Sequence, residues 1–467
     1  MVCVNKGAWS PILLILLAFG IPAWAQVTGG SILGTVRDPS DAALSRVQII
    51  VTNLDTNLTR RTETDVSGEY RILSSPVGRY QVEATLTGFQ RFVATDIVLT
   101  VNEQRRVDIT MQVGSLEQRI EVTANPIQVE TTNTQLGQLI EERKILSLPL
   151  NGRSFVDLLA LQAGVAPTGA GTGSSRSVSG QLSAGNISVN GQREQANSFL
   201  VNGGDVGEGR QFGTAIIPNL DSVAEFRLIT NTFDAEYGRF SGAVMNAITK
   251  AGSNRIRGTL FEFLRNDKMD SRGFFDPQRG ALKRNQFGYA VGGPLIKNKV
   301  FWFTDYQGTR DVRGLSTGLV QVPTQAQRDG NLGTRALTGT VSGPYWAQVL
   351  SQRLGYTVTS GQPYSSVFPN GVIPARAFSP AALGTMKYIP LPNTGANTYA
   401  TAGQNRNLVD DKAGQRIDIL HGRTGNWYGY YHFDDSTDRN PMAGASFPGF
   451  PATTPNRAQQ GVLSNVK

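Results

Sequence analysis

Between Asn285 and Arg310 the chain reads NQFGYAVGGPLIKNKVFWFTDYQGTR. With a period of two, Phe287, Tyr289 and Val291 share one side of a strand, and Gln286, Gly288 and Ala290 share the other. In water, the apolar face of such a strand packs on a core. In an outer membrane the same face turns to lipid, and compact or polar residues line an interior. The turn PLIKNKV is short, as periplasmic turns are, whereas the irregular stretch 308–413, rich in Pro, Gly, Ser and Thr, is long, as extracellular loops are. Tyr289, Trp302 and Tyr306 suit the headgroup level, where an amphipathic ring has one apolar and one wet side. A soluble sandwich would explain the alternation alone, but not the asymmetry of its connections.

Composition narrows the choice. Charged residues make up 17% of the 467, and glycine is abundant at 52. No long apolar run follows residue 25, so the expected membrane-crossing elements are strands. Residues 1–25 read as a cleaved signal peptide: Lys6, the apolar run Pro11–Ile21, then Ala23 and Ala25 before Gln26. No cysteine follows the apolar run, which argues against a lipoprotein. The one cysteine, Cys3, lies within the expected signal, so the mature chain must hold together without disulfides. The net charge of +8 is spread among interspersed acids, and export argues against a nucleic-acid partner.

Three blocks follow. Residues 30–115 carry seven short β-favouring runs between turn signals such as RDPSD and DVSGE, which predicts a seven-stranded β-sandwich. Residues 127–252 read as mixed α/β. A capping pattern at Ser154 and Asp157 opens a helical stretch over 152–164, a Gly/Ser-rich stretch spans 167–185, and strands are expected near 186–189, 199–201, 226–230 and 243–249. From 253 to 467 alternation dominates, in GTLFEFLRND, in the hairpin above, and again in RIDI and NWYGYYHFD. The aromatic side chains of this last block are expected to face lipid.

ILGTVRDPSDAALSRVQIIVTN, LPLNGRSFVDLLALQAGV, IPNLDSVAEFRLITNTFDAEYGRFSGAVMNAITKAGSN and LKRNQFGYAVGGPLIKNKVFWFTDYQGTR, in this order, resemble a TonB-dependent outer-membrane receptor of the Oar-like kind. There a carboxypeptidase-regulatory-like domain precedes plug and barrel. The resemblance covers nearly the whole mature chain. It departs from the family where Asn202–Gly203 stands for the usual Asp-Gly, with Asp205 displaced. Such receptors close with about 22 strands around a plugged lumen, whereas about five are visible after residue 253. The expectation is therefore a mainly β chain with the first strands of an incomplete transmembrane β-barrel, a piece of a longer receptor.

The resemblance further implies that LEQRIEVTANP, residues 116–126, contains a TonB box: an extended segment captured by the periplasmic domain of TonB through β-augmentation. Ile120, Glu121, Val122, Thr123 and Ala124 are the residues assigned, although a plain linker strand is the simpler reading. Plug loops carrying Asn202, Asp205, Glu208 and Arg210 are candidates for contact with an unknown ligand, such as an oligosaccharide or peptide. Outer-membrane lipid is the other expected partner.

No H-E-x-x-H, phosphate loop or mature cysteine is present, and the two histidines, His421 and His432, stand apart in the barrel block. No catalytic residue, metal or cofactor is expected. Asp65 and Glu69 read as turn residues rather than ligand groups. Transport is the expected function. An exported carbohydrate-binding or adhesion protein without transport is the alternative, and a decayed, non-functional fragment is a third reading.

Overall fold

A computed structural model of the chain describes residues 29–466 apart from 115–118, 124–134, 149, 151–152, 154, 168–186, 208–213, 234, 239, 275, 277–278, 334–336, 402, 423 and 444–448. The expected signal peptide, Ser154, most of the Gly/Ser-rich stretch, Ala124, Glu208 and Arg210 lie outside the described residues.

The first block forms two sheets over one core. Strands β1 (Gly30–Arg37), β2 (Gln48–Asn53), β3 (Thr59–Glu63), β4 (Glu69–Ser75), β5 (Gly78–Thr85) and β6 (Arg91–Leu99) follow six of the seven expected runs, and the seventh is divided into β7 (Gln104–Arg106) and β8 (Ile109–Thr110). One sheet is ordered β4-β1-β7, with β8 also on β1. The other is β3-β2-β5-β6-β9, where β9 (Arg119–Thr123) comes from the segment after the block. Alternation does the work: in β5, Tyr80, Val82 and Ala84 are buried, and they meet Ile32, Tyr70 and Ile72 from the opposite sheet.

The second block is built on a five-stranded sheet. Its strands are β10 (Leu136–Glu141), β13 (Ser198–Val201), β14 (Gly204–Asp205), β15 (Val223–Asn231) and β16 (Val244–Thr249), in the order β10-β15-β16-β13-β14. A small pair, β11 (Val165–Pro167) and β12 (Ile187–Val189), lies beside it. The expected helix at 152–164 is a 3-10 helix over Phe155–Leu161, which buries Leu158 and Leu159 in the core with Phe199, Phe226, Leu228 and Met245. β10 and the short helix Glu142–Ser147 after it carry little alternation and were not expected.

The third block is an antiparallel meander. β17 (Arg257–Asn266), β18 (Leu282–Ile296), β19 (Val300–Leu315), β22 (Gln404–His421), β23 (Gly425–Asn440) and β24 (Ala452–Val466) pair in that order into a six-stranded sheet that is not closed. β19 is 16 and β22 18 residues long. About 9–11 tilted residues suffice to cross a bilayer, so these strands project beyond it. Their pairing corrects the expected 308–413 loop: β19 continues to Leu315 and β22 begins at Gln404, leaving an insert of 316–403. That insert holds β20 (Val320–Gln321) paired with β21 (Thr398–Tyr399), a helix over Gly343–Leu354, and a small core of its own around Val341, Leu354, Val367 and Phe368. No helix among the described residues is long and apolar enough to cross a membrane.

The sandwich sits at the end of the sheet opposite the insert. Asn57 donates to Asn298 in the β18–β19 turn at 2.9 Å, and Asp55 pairs with Arg257 at 3.3 Å. The chain crosses from plug to barrel at Gly252, where a Cβ would stand 2.4 Å from the Trp302 carbonyl oxygen, so only glycine allows the backbones to approach this closely.

Candidate coupling strand and plug–barrel interface

Within the segment singled out as a TonB box, Arg119–Thr123 form strand β9, parallel to β6 with Ile120 opposite Phe92, Val122 opposite Ala94 and Thr123 opposite Thr95. Its β-branched content favours this extended form. Among the described residues the sheet ends at β9, so one edge of the strand is paired and the other open.

A second contact joins sandwich to plug. The turn Thr100–Glu103 after β6 sets its backbone against the outer face of the plug sheet. Glu225 accepts from the Val101 amide, Arg227 donates to the carbonyls of Val101 (3.4 Å) and Asn102 (3.2 Å), and the Asn102 side chain donates to the Tyr237 hydroxyl at 2.7 Å. Burial pushes the Glu225 carboxyl up to about 7; the Val101 amide opposes this, Glu103 and Glu141 add to it, and Arg227 opposes it.

The plug faces a polar wall. Asp305, Gln307, Thr309, Asp410, Lys412, His432 and Asp434 are buried, and alternation along β19, β22 and β23 aims all of them at the plug side of the sheet. Lys412 lies 3.7 Å from Asp410 and 3.5 Å from Asp434, and donates to the Ile217 carbonyl at 3.5 Å. Asn219 donates to the Tyr306 carbonyl at 3.3 Å, Gln460 to that of Val201 at 3.2 Å, and Arg416 to that of Thr249 at 3.3 Å. From the plug, Arg153 pairs with Asp221 and lies over the rings of Phe261 and Phe263, 4.6 and 4.0 Å from their centroids. The polar contacts fix the register of plug against sheet, and they stand beside an apolar patch where Tyr430, Ala458 and Val462 pack on the plug core.

The outward face carries Phe287, Tyr289, Val291, Trp302 and Tyr306, as read from the sequence, together with Ile417, Ile419, Trp427 and Tyr431. The expectation that aromatics of this block all face lipid is corrected, however. Phe301, Phe303, Tyr428 and Tyr430 are buried on the plug side, and Phe261 and Phe263 share that side. The reason is the plug itself: it offers apolar surface, and Tyr430 joins its core.

The four candidate ligand residues separate. The Asn202 amide pairs with the Thr249 backbone and hydroxyl, and its carbonyl accepts from the Tyr428 hydroxyl at 2.9 Å, all in buried surroundings. Asp205 is exposed and accepts from the Gly207 amide at 2.8 Å, while Glu208 and Arg210 fall outside the described residues. Asp65 closes its own turn by accepting from the amides of Ser67 and Glu69. Among the described residues no cluster of His, Cys, Asp and Glu is placed to hold a metal. The sequence reading missed Arg153, Asp221, Glu225 and Lys412. Lys412 was within reach, because its parity in DDKAGQRIDI puts it on the same face as Arg416. Where sandwich, plug and barrel meet, a cavity of about 750 Å³ is lined by residues including Asp55, Arg79, Glu142, Lys250, Arg416 and Trp427.

A mixed sheet set against the polar face of a long-stranded membrane sheet, with a β-sandwich at its turn end, defines the class of plugged outer-membrane β-barrel proteins. Residues 248–467 match the outer membrane beta barrel domain, and residues 31–112 the carboxypeptidase regulatory-like domain. The TonB-dependent transporter Oar of Myxococcus xanthus is 26% identical over 325 residues, which cover 64% of this chain and 29% of that protein. Among solved structures, the siderophore receptor PirA from Acinetobacter baumannii aligns over 72% of this chain and 46% of its own, at 15% identity and a TM-score of 0.35. The outer membrane transporter YddB from Escherichia coli aligns over 69% and 36%, at 12% identity and 0.38. The resemblance to Oar-like TonB-dependent outer-membrane receptors is borne out, and the barrel domain places the chain in the outer membrane. The relatives carry the names of transporters and receptors, and this chain spans 29% of the length of the curated one.

Proposed function

We propose that this chain supplies the sandwich, plug and leading barrel strands of a TonB-dependent importer for a large or scarce nutrient, with residues 120–124, of which 120–123 lie in β9, as the segment that TonB captures. The observation that carries this reading is the position of β9: an extended strand at the edge of its sheet among the described residues, lying in sequence between the sandwich and the plug sheet. Pulling on β9 loads β10 and the plug sheet behind it, and the polar contacts along the wall can exchange partners as the plug shifts. Ligand contact is assigned to the exposed Asp205, to Glu208 and Arg210 after it in the sequence, and to the insert 316–403. An oligosaccharide, peptide or metal chelate fits such loops equally well by chemistry.

The test is capture of the full chain by the C-terminal domain of TonB, with and without Val122→Pro. Proline removes a main-chain donor and fixes φ, so the variant should lose about tenfold or more in binding. Equal binding by the two proteins would remove residues 120–124 from the coupling role.

A further inference from the structure

We infer that the sandwich is a presenting platform for this segment: TonB adds its strand to the open outer edge of β9 while β9 stays paired with β6. The inference rests on the reading of 120–124 as the captured segment. In a parallel pair, alternate residues turn both their N–H and C=O toward one neighbour, and the residues between turn theirs the other way. β9 is registered on β6 from Arg119 opposite Arg91 to Thr123 opposite Thr95, and the sheet has no further strand beyond it among the described residues. Half of the main-chain groups of β9 are thus engaged and half point off the sheet.

Two physical arguments favour addition over release. Stripping β9 from β6 would leave backbone groups of both strands to be satisfied again, at about 1 kcal/mol net for each bond lost, whereas adding a strand at the outer edge forms bonds and breaks none. A segment already held extended has also given up its conformational freedom before the partner arrives, which raises affinity for a strand-forming partner. The platform itself is firm: Phe92, Ala94 and Ile97 of β6 are buried in the sandwich core. The same geometry gives the sandwich a role in coupling, because tension applied at β9 acts on β6 and, through the Thr100–Glu103 turn directly after it, on Glu225 and Arg227 of the plug.

The experiment locks β9 in place. Thr95 and Thr123 are directly opposed in the ladder, and opposed Cα atoms lie about 5 Å apart, within the span of a disulfide. Thr95→Cys with Thr123→Cys, in a Cys3→Ser background, is prepared as the full chain in detergent micelles and bound to the C-terminal domain of TonB, oxidised and reduced. The bridge should form on mild oxidation, and the oxidised protein should bind within about twofold of the reduced one. A loss of about tenfold or more on oxidation, restored by reductant, would show that β9 must leave β6; that overturns the platform and leaves the capture role standing. Failure of the bridge to form also overturns it. If the unsubstituted chain and Val122→Pro bind alike, it is the capture role that fails. Arg91→Cys with Arg119→Cys repeats the lock at the other end of the strand, and the two pairs must agree for the inference to stand.

Discussion

Arg153 shows how one side chain can tie the plug to the barrel sheet. It has a positive φ of 58°, and its guanidinium pairs with Asp221 and lies over the rings of Phe261 and Phe263. Both partners of the ion pair are buried, so the pair itself adds little net stability, but removing one partner strands the other charge. Arg153→Ala should therefore destabilise the plug by about 3–5 kcal/mol, whereas Arg153→Ala combined with Asp221→Asn should recover much of that loss. Urea titration of plug proteolysis measures both; a double variant as unstable as the single one would mean that the aromatic contact, not the charge, dominates. Gly414 makes a related point, since a Cβ there would stand 2.3 Å from the Asp305 carboxylate that lies over it. Neither partner is legible in a one-dimensional string. Arg153 lies 68 residues from Asp221, and only the fold brings them together. What the string does expose is parity, which is why the outward Phe287, Tyr289 and Trp302 were read correctly and Phe301 and Tyr430 were not. Alternation says that two faces differ; it does not say that a plug will cover one of them with apolar surface.

At the scale of elements, the barrel strands divide along their length. Across β19, β22 and β23 the outward rows Val300–Ile419–Trp427 and Trp302–Ile417–Gly429 are apolar. Nearer the insert, outward positions carry the ion pairs Arg310–Asp411 at 2.9 Å and Arg457–Asp435 at 2.9 Å. This transition marks the upper limit of the lipid-facing band. An arginine placed within the band should cost ~2 kcal/mol or more, and one placed beyond it ~0–1. Ile417→Arg should therefore impair insertion into lipid vesicles, read by heat-modifiable gel migration against urea, and Val409→Arg, above the band on the same strand, should not. Equal penalties would mean that the sheet does not sit in lipid in this register. Five of the six strands were legible because a long amphipathic strand writes its period directly into the sequence; β24, which reads ATTPNRAQQGVLSNV, has few apolar residues to mark a face and was missed. β10 was not: it reads LGQLIE, and it owes its place to pairing with β15 from Leu136–Asn231 to Glu141–Glu225. Short plug strands are set by tertiary pairing, which overrides weak local preference.

For the whole molecule, the question is what holds the sandwich to the plug, since force reaching one must reach the other. The Thr100–Glu103 turn is bound through Glu225, Arg227, Tyr237 and Asn246, and burial brings the Glu225 carboxyl up to about 7. Glu103 and Glu141 face it as acids and Arg227 as a base, and burial outweighs them all. The sign follows from linkage. The docked carboxyl titrates near 7 and the ordinary one at 4.5, so the docked state holds more protons between these values. Its contribution to docking is fully present below about pH 4.5 and is lost as pH rises through 7. Docking should thus be tighter at pH 5.5 than at pH 8. Limited proteolysis of the sandwich–plug junction at the two pH values, with a protease of matched activity, should show faster cleavage at the higher one. Glu225→Gln keeps an oxygen to accept from the Val101 amide and cannot ionise, so its cleavage should be equal at both. If the wild-type protein is cut at the same rate at both values, Glu225 does not govern the contact. If instead the glutamine variant keeps the wild-type slope, another group titrates in this range, and the coupling between sandwich and plug is set elsewhere than at this turn.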